Sequence, residues 1–273
     1  MTFFEKLQQA SWLNRSRLSV GLDSDFAKLP AHLKNHPYPL FEFNRQIIEA
    51  TADLVCAYKL NSAFYEALGH EGIYQLKLTF DYLNQNYPHL PTILDAKRAD
   101  IGNTNLGYAQ FVFEYLQADA LTVNPYLGGE AIRPFLDYAN KGIIVLCKTS
   151  NPGSGEIQDL LVGEQKLYQL IAQKVASEWN YNRNCLLVVG ATYAQDLAFL
   201  RKTLSEMTFL IPGVGTQGGD LRATVLAAKN EQNTGFIINS SREVIFASSD
   251  ASFALGSRQK AQTLRDEINS YLV

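Results

Sequence analysis

The sequence has few cysteines, little net charge and no long apolar run, and each shortage excludes something. Its three cysteines, Cys56, Cys147 and Cys185, each sit inside an apolar run, with no Cys-x-x-Cys spacing. An odd number at such positions argues for buried, reduced thiols and against a disulfide framework or a metal site. A net charge of −3 in 273 residues argues against a nucleic-acid binder that works by broad phosphate neutralisation. No apolar stretch approaches the roughly 20 residues that a membrane-spanning helix needs. The opening Met1-Thr-Phe-Phe-Glu-Lys lacks a basic region followed by a long apolar core. No secretory signal is visible, and a cytoplasmic protein is expected.

Apolar residues make up 47% of the chain, enough to fill a sizeable core in one large barrel or two smaller domains. Eight short apolar runs read as strands, at 18–23, 54–61, 91–96, 118–124, 142–148, 185–190, 208–212 and 235–239. Helical patterns fall at 3–12, 40–51, 69–87, the stretch after Asp100, 130–139, 164–180 and 259–272. In the first of these, Phe3, Phe4, Leu7 and Trp12 are available to one side. Alternation of this kind is what parallel βαβ units look like. No composition break divides it, so a single (β/α)8 TIM barrel over residues 1–273 is expected in preference to an open doubly wound sheet.

In such barrels the chemistry sits at the C-terminal strand ends. Asp23, Lys59, Asn61, Asp95, Lys97, Asn124 and Ser150 all fall there. Period-two alternation puts Lys59 with Asn61, and Asp95 with Lys97, on shared faces. One strand-end charge is commonly just solvated; several in register on the first three strands mark a site. Asp100 brings a second carboxylate near Lys97 where the chain leaves the sheet. A lysine between two carboxylates stays protonated, which makes it a poor nucleophile and a fixed proton donor.

After the seventh run comes Pro212-Gly-Val-Gly-Thr-Gln217-Gly-Gly-Asp220, and after the eighth Asn239-Ser-Ser241-Arg242-Glu243. The glycines permit tight turns, and an Arg fork beside backbone amides is a sensible phosphate cradle at the strands where these barrels usually bind one.

Asp95-Ala-Lys97-Arg-Ala-Asp100-Ile101 with Thr104, preceded by Lys59 and followed by the glycine-rich segment from Pro212, resembles the orotidine 5′-phosphate decarboxylase family. Thr122-Val-Asn-Pro-Tyr-Leu-Gly-Gly-Glu130 and Lys148-Thr-Ser-Asn-Pro152 resemble its longer bacterial branch. The resemblance implies a homodimeric barrel that converts orotidine monophosphate to UMP without metal or organic cofactor. It implies that Lys59, Asp95 and Lys97 act together, with Asp100, Ile101 and Thr104 reaching in from the partner subunit. Asp23 and Lys59 would hold the ribose, and Ser150 would read the pyrimidine from a closing loop. Pro212, Gln217, Ser241 and Arg242 would line the phosphate end. Ser241 stands where compact members often have Gly, and the segment from Gln217 to Arg242 is longer than theirs.

Three other readings stay open at this point. Mg²⁺-dependent relatives share Asp-x-Lys-x-x-Asp but carry Glu where Lys59 stands, and a lysine there repels a divalent cation. A non-catalytic phosphate-ligand sensor would not need both lysines and three carboxylates. A Schiff-base aldolase needs a neutral amine, which Lys97 beside carboxylates is not.

Overall fold

Runs rich in Val, Ile and Leu that end in polar residues form the sheet. In the computed structural model, which describes residues 1–214 and 219–272, the barrel strands are Leu18–Gly21, Ala57–Asn61, Thr92–Arg98, Ala120–Val123, Gly142–Lys148, Cys185–Val189, Phe209–Pro212 and Phe236–Ser240. Taken in that order they are β1 to β8. Each pairs in parallel with the next, and Leu18 opposite Ile238 closes β1 onto β8. The expected (β/α)8 barrel is what the chain forms. A principal helix follows each strand, from Pro39–Thr51 after β1 to Phe253–Ser270 after β8.

Alternation sorts each strand's side chains into two apolar bodies. Leu18, Val20, Leu60, Leu94, Leu121 and Val145 face outward into the shell between sheet and helices. Ala57, Ile93, Ala120, Ile144, Leu186, Leu210 and Ile237 face inward and fill the barrel. The lower end is plugged by the helix Phe3–Leu13, whose Phe3 and Leu7 join the inner body. Thr2 and Glu5 start that helix with a reciprocal capping box, satisfying amides that would otherwise lack partners. The charged inward positions of the first three strands, Lys59 and Asp95 among them, lie above this apolar body, toward the C-terminal mouth.

Three expectations need correction. Trp12 is 77% exposed: nine positions beyond Phe3 at about 100° per residue is half a turn round the helix, so it faces water. The helix expected at 164–180 begins later, because Leu161–Val162 and Gln165–Lys166 form a small antiparallel hairpin ahead of Leu167–Lys174. Between β6 and β7 lies a helix, Ala194–Thr203, that the apolar pattern did not reveal.

Candidate active site

At the mouth, inward positions of the first three strands carry alternating charge. Asp23 follows β1; Lys59 stands on β2, with Gly21 as its register partner; Asp95 stands on β3 opposite Asn61. Lys59 Nζ lies 3.3 Å from Asp23 Oδ1 and 3.1 Å from Asp95 Oδ2, with only 4% of its side chain exposed. Lys97 Nζ lies 2.7 Å from Asp95 Oδ1, with 48% of its side chain exposed. The four groups form an arc of alternating sign and no net charge, buried at Lys59 and open at Lys97.

The local backbone explains how one strand offers both Asp95 and Lys97. Leu94 pairs with Leu121 and Arg98 with Val123, so residues 95–97 of β3 lie opposite Thr122 alone. Such a bulge re-aims side chains at a sheet end. Lys97 takes a left-handed φ of +48°, which costs a non-glycine residue about 1–2 kcal/mol. The Thr122 hydroxyl holds this turn: its oxygen accepts from the Lys97 N–H at 2.9 Å and it donates to Asp95 Oδ1 at 2.9 Å. A hydroxyl has one proton to give and lone pairs to accept, so both bonds coexist.

Thr122 was not among the sequence candidates, although it shares an inward face with Asn124; it is a positioning residue. Thr122→Val is expected to fold normally and to lower kcat about 10–100-fold, a loss of roughly 1–3 kcal/mol for one hydrogen bond taken from a charged acceptor that keeps Lys59 and Lys97. Thr122→Ser should recover most of that loss in steady-state assays.

The electrostatics follow from burial and neighbours. Burial alone would raise the Asp95 carboxyl, but Lys59 and Lys97 outweigh it and hold the group well below the usual carboxylate range. Burial alone would lower the Lys59 ammonium, but Asp23 and Asp95 outweigh it and hold the group above the ordinary lysine range. Both stay charged at neutral pH.

The arc is one wall of a cavity of about 460 Å³. Leu146, Val188 and Leu210 supply an apolar wall, and Ser150 and Asn151 approach from the loop after β5. Gly190, closing β6, admits that loop: a Cβ there would lie 2.8 to 3.0 Å from the Cβ, N and Cα of Ser150. Pro212, Ser241 and Arg242 line the other end. Ser241 fits because Gly21 has no side chain; a Cβ on Gly21 would lie 1.9 Å from Ser241 Oγ.

Of the sequence candidates, the cavity gathers Asp23, Lys59, Asn61, Asp95, Lys97, Ser150, Pro212, Ser241 and Arg242. Asn124 instead caps the turn Pro125–Leu127 by accepting from the Tyr126 N–H. Asp100, Ile101 and Thr104 do not line this chain's cavity. Asp100 accepts from the Ile101 N–H at 2.6 Å, while its own amide donates to Asn105 Oδ1. The expected second carboxylate beside Lys97 is therefore not supplied within one chain; Asp95 is its ion-pair partner among the described residues. Gln217 lies outside the described residues.

Among the described residues no group of three or more His, Cys, Asp or Glu side chains could hold a metal. The Lys59 ammonium already stands between the two half-buried carboxylates.

Fold and site define a (β/α)8 barrel with a fixed array of lysines and aspartates at its mouth. The chain belongs to the orotidine 5′-phosphate decarboxylase / HUMPS family, whose model matches residues 16–255. It is similar to the orotidine 5′-phosphate decarboxylase of Janthinobacterium sp. (strain Marseille), at 48% identity over 272 residues and 100% of both chains. The enzyme of that name from Dechloromonas aromatica (strain RCB) is 46% identical over 99% of this chain and 100% of its own. The solved OMP decarboxylase of Leishmania donovani matches with a TM-score of 0.86 and 36% identity, over 100% of this chain and 99% of that one.

Proposed function

We propose that this chain decarboxylates orotidine 5′-monophosphate to UMP and CO₂ without metal or organic cofactor, as one barrel unit in the cytoplasm. The observation that carries the reading is the Asp23–Lys59–Asp95–Lys97 arc. Breaking the bond from C6 to the carboxylate leaves an electron pair localised on a ring carbon with no adjacent sink. Asp95 faces the departing carboxylate, and Lys97 stands beside C6. The Lys97 ammonium stabilises the growing negative charge and then gives C6 a proton, regaining one from solvent. Because Lys59 and Asp95 are held in place beforehand, little reorganisation accompanies the charge movement.

The remaining roles follow the cavity's geography. Asp23 and Lys59 hold the ribose, and Ser150 reads the pyrimidine against the apolar wall. Pro212, Ser241 and Arg242 take the phosphate, whose binding energy helps assemble the closed site; Gln217, outside the described residues, is assigned to the same end by the family resemblance alone. Asp100, Ile101 and Thr104 complete the site of a second copy in a homodimer. Supporting that dimer, Ile101 and Leu106 after β3 and Tyr126 and Leu127 after β4 are 62%, 53%, 80% and 49% exposed, the kind of apolar surface that marks an interaction face.

The test is the loss of orotidine monophosphate absorbance with EDTA present. Undiminished turnover is expected, since no step needs a divalent ion. Activity that disappears on chelation and returns with Mg²⁺ would move the chain to the metal-dependent members of its family.

A further inference from the structure

Lys148 is a lysine with no solvent exposure that the reaction above does not use. It ends β5, where simple alternation would aim it into the barrel. Leu146 pairs with Val188 but Lys148 pairs with Val189, so Cys147 is an extra residue. This bulge turns Lys148 out into the helical shell. There its Nζ lies 4.6 Å from the Tyr193 ring centroid and 5.6 Å from that of Tyr168. It donates to Asp159 Oδ2 at 2.8 Å.

Asp159 is the far end of the excursion that begins at Thr149. One residue inside this pair a second tie closes the same neck. The Thr149 N–H donates to Gln158 Oε1 at 2.9 Å, and Gln158 Nε2 donates to Thr149 Oγ1 at 2.8 Å. Residues 148–149 are thus sewn to 158–159, and the loop between them carries Ser150 and Asn151 into the cavity. The Ser154 hydroxyl lies 3.1 Å from the Tyr193 hydroxyl, so one tyrosine takes the ammonium on its face and the loop on its rim.

Methionine would fill the same space without the desolvation cost of a buried charge. What the charge adds is a penalty on loop opening. Asp159 is one-third exposed and can lift with the loop, whereas Lys148 cannot follow it into water. Opening therefore strands a buried ammonium beside two aromatic rings, and a charge left unpaired in the interior is costly.

We infer that Lys148 and Asp159, braced by Tyr193, are positioning residues that keep the strand-five loop down and hold Ser150 in place over the substrate ring. The inference rests on the reading of Ser150 under Proposed function. The latch itself is separable from it.

Three variants test it: Asp159→Asn, which takes the carboxylate from Lys148 and from the partly exposed Lys166, 3.2 Å from its Oδ1; Lys148→Met, which leaves the Asp159–Lys166 pair in place; and Ser150→Ala, alone and combined with Asp159→Asn. Asp159→Asn is expected to speed amide hydrogen exchange across residues 150–158 and leave the barrel strands protected. It should lower kcat/KM for orotidine monophosphate about 10–100-fold, the scale expected of a misplaced contact. Lys148→Met should do the same. Ser150→Ala should cost much less on top of Asp159→Asn than in the native chain, since residues acting through one another are not additive. A merely structural pair would lower the melting temperature and leave that cycle additive. Unchanged loop exchange, unchanged kcat/KM or an additive cycle overturns the inference. If Ser150→Ala costs nothing in the native chain, the ring-reading role of Ser150 falls, and the latch then stands or falls on exchange and kcat/KM in Asp159→Asn.

Discussion

Lys97→Ala is expected to fold like the native chain and to lose turnover by at least about 10⁴-fold, because one group supplies both charge stabilisation and the proton. Its side chain is 48% exposed and its one ion-pair partner among the described residues is Asp95, so little packing is lost. The left-handed backbone at φ +48° is already borne by lysine, and alanine inherits it. Asp95 keeps Lys59 and the Thr122 hydroxyl and stays ionised. The melting temperature should move by no more than a few degrees while single-turnover product formation all but stops. Near-normal turnover would remove Lys97 from the reaction. The same variant probes the proposed dimer: mixed with Asp100→Ala subunits, it should regain activity that neither has alone, because one native site can form per mixed pair.

The pH response follows from the same charges. Asp95 is held below the ordinary carboxylate range, so its contribution to stability is present above the unfolded value, about 3.9, and fades as pH falls further. Lys59 is held above the ordinary lysine range, so its contribution is complete below the unfolded value, about 10.4, and fades only at still higher pH. Between about pH 5 and 9 neither group changes charge, and neither should place an inflection in the kcat profile.

Period-two alternation was enough to read the barrel and most of the arc. Lys59 and Asp95 follow apolar inward residues at the right spacing, and the structure places them where that spacing says. What alternation misses is a change of phase. The bulge opposite Thr122 lets Asp95 and Lys97 share one neighbour, and so hid Thr122 as their common partner. The bulge at Cys147 sends Lys148 outward against the pattern, and nothing in the residue types there signals it. Ties such as Thr149 to Gln158 join residues nine apart through a loop, where no periodicity operates. Asp100 is a different case: proximity in sequence to Lys97 suggested a second carboxylate beside it, and within one chain Asp100 instead accepts from the Ile101 N–H. The helix Ala194–Thr203 escaped because it buries few large apolar residues and spends an arginine in their place.

That arginine carries the largest expected effect on stability. Arg201 is 9% exposed and donates five hydrogen bonds to carbonyls. Nε reaches Ala228 at 2.7 Å; Nη1 reaches Leu204, Ser205 and Met207 at 3.1, 2.7 and 2.8 Å; Nη2 reaches Gly235 at 2.7 Å. Its guanidinium lies 4.2 Å from the Phe209 ring centroid. Burial pulls the group down to about 10, with Glu206 opposing, so the charge persists at neutral pH. The bonds gather the end of one helix, the end of the next and the entries to β7 and β8, at the barrel end opposite the cavity. Arg201→Met keeps the stem and deletes every donor. Bonds to a charged donor contribute about 1.5–3 kcal/mol each but are not additive, and water can reach some of the freed carbonyls. A loss of about 3–5 kcal/mol is therefore expected, of the size seen when buried polar networks are broken. For a chain of this length that lowers the melting temperature by roughly 6–20 °C. Arg201→Lys should fall between, because a point charge cannot span carbonyls on both sides of a planar fork. In the cold, where the variant is folded, kcat should match the native value, since no contact of Arg201 reaches the mouth. A variant that melts with the native chain would show that these carbonyls find water as readily as they find the guanidinium.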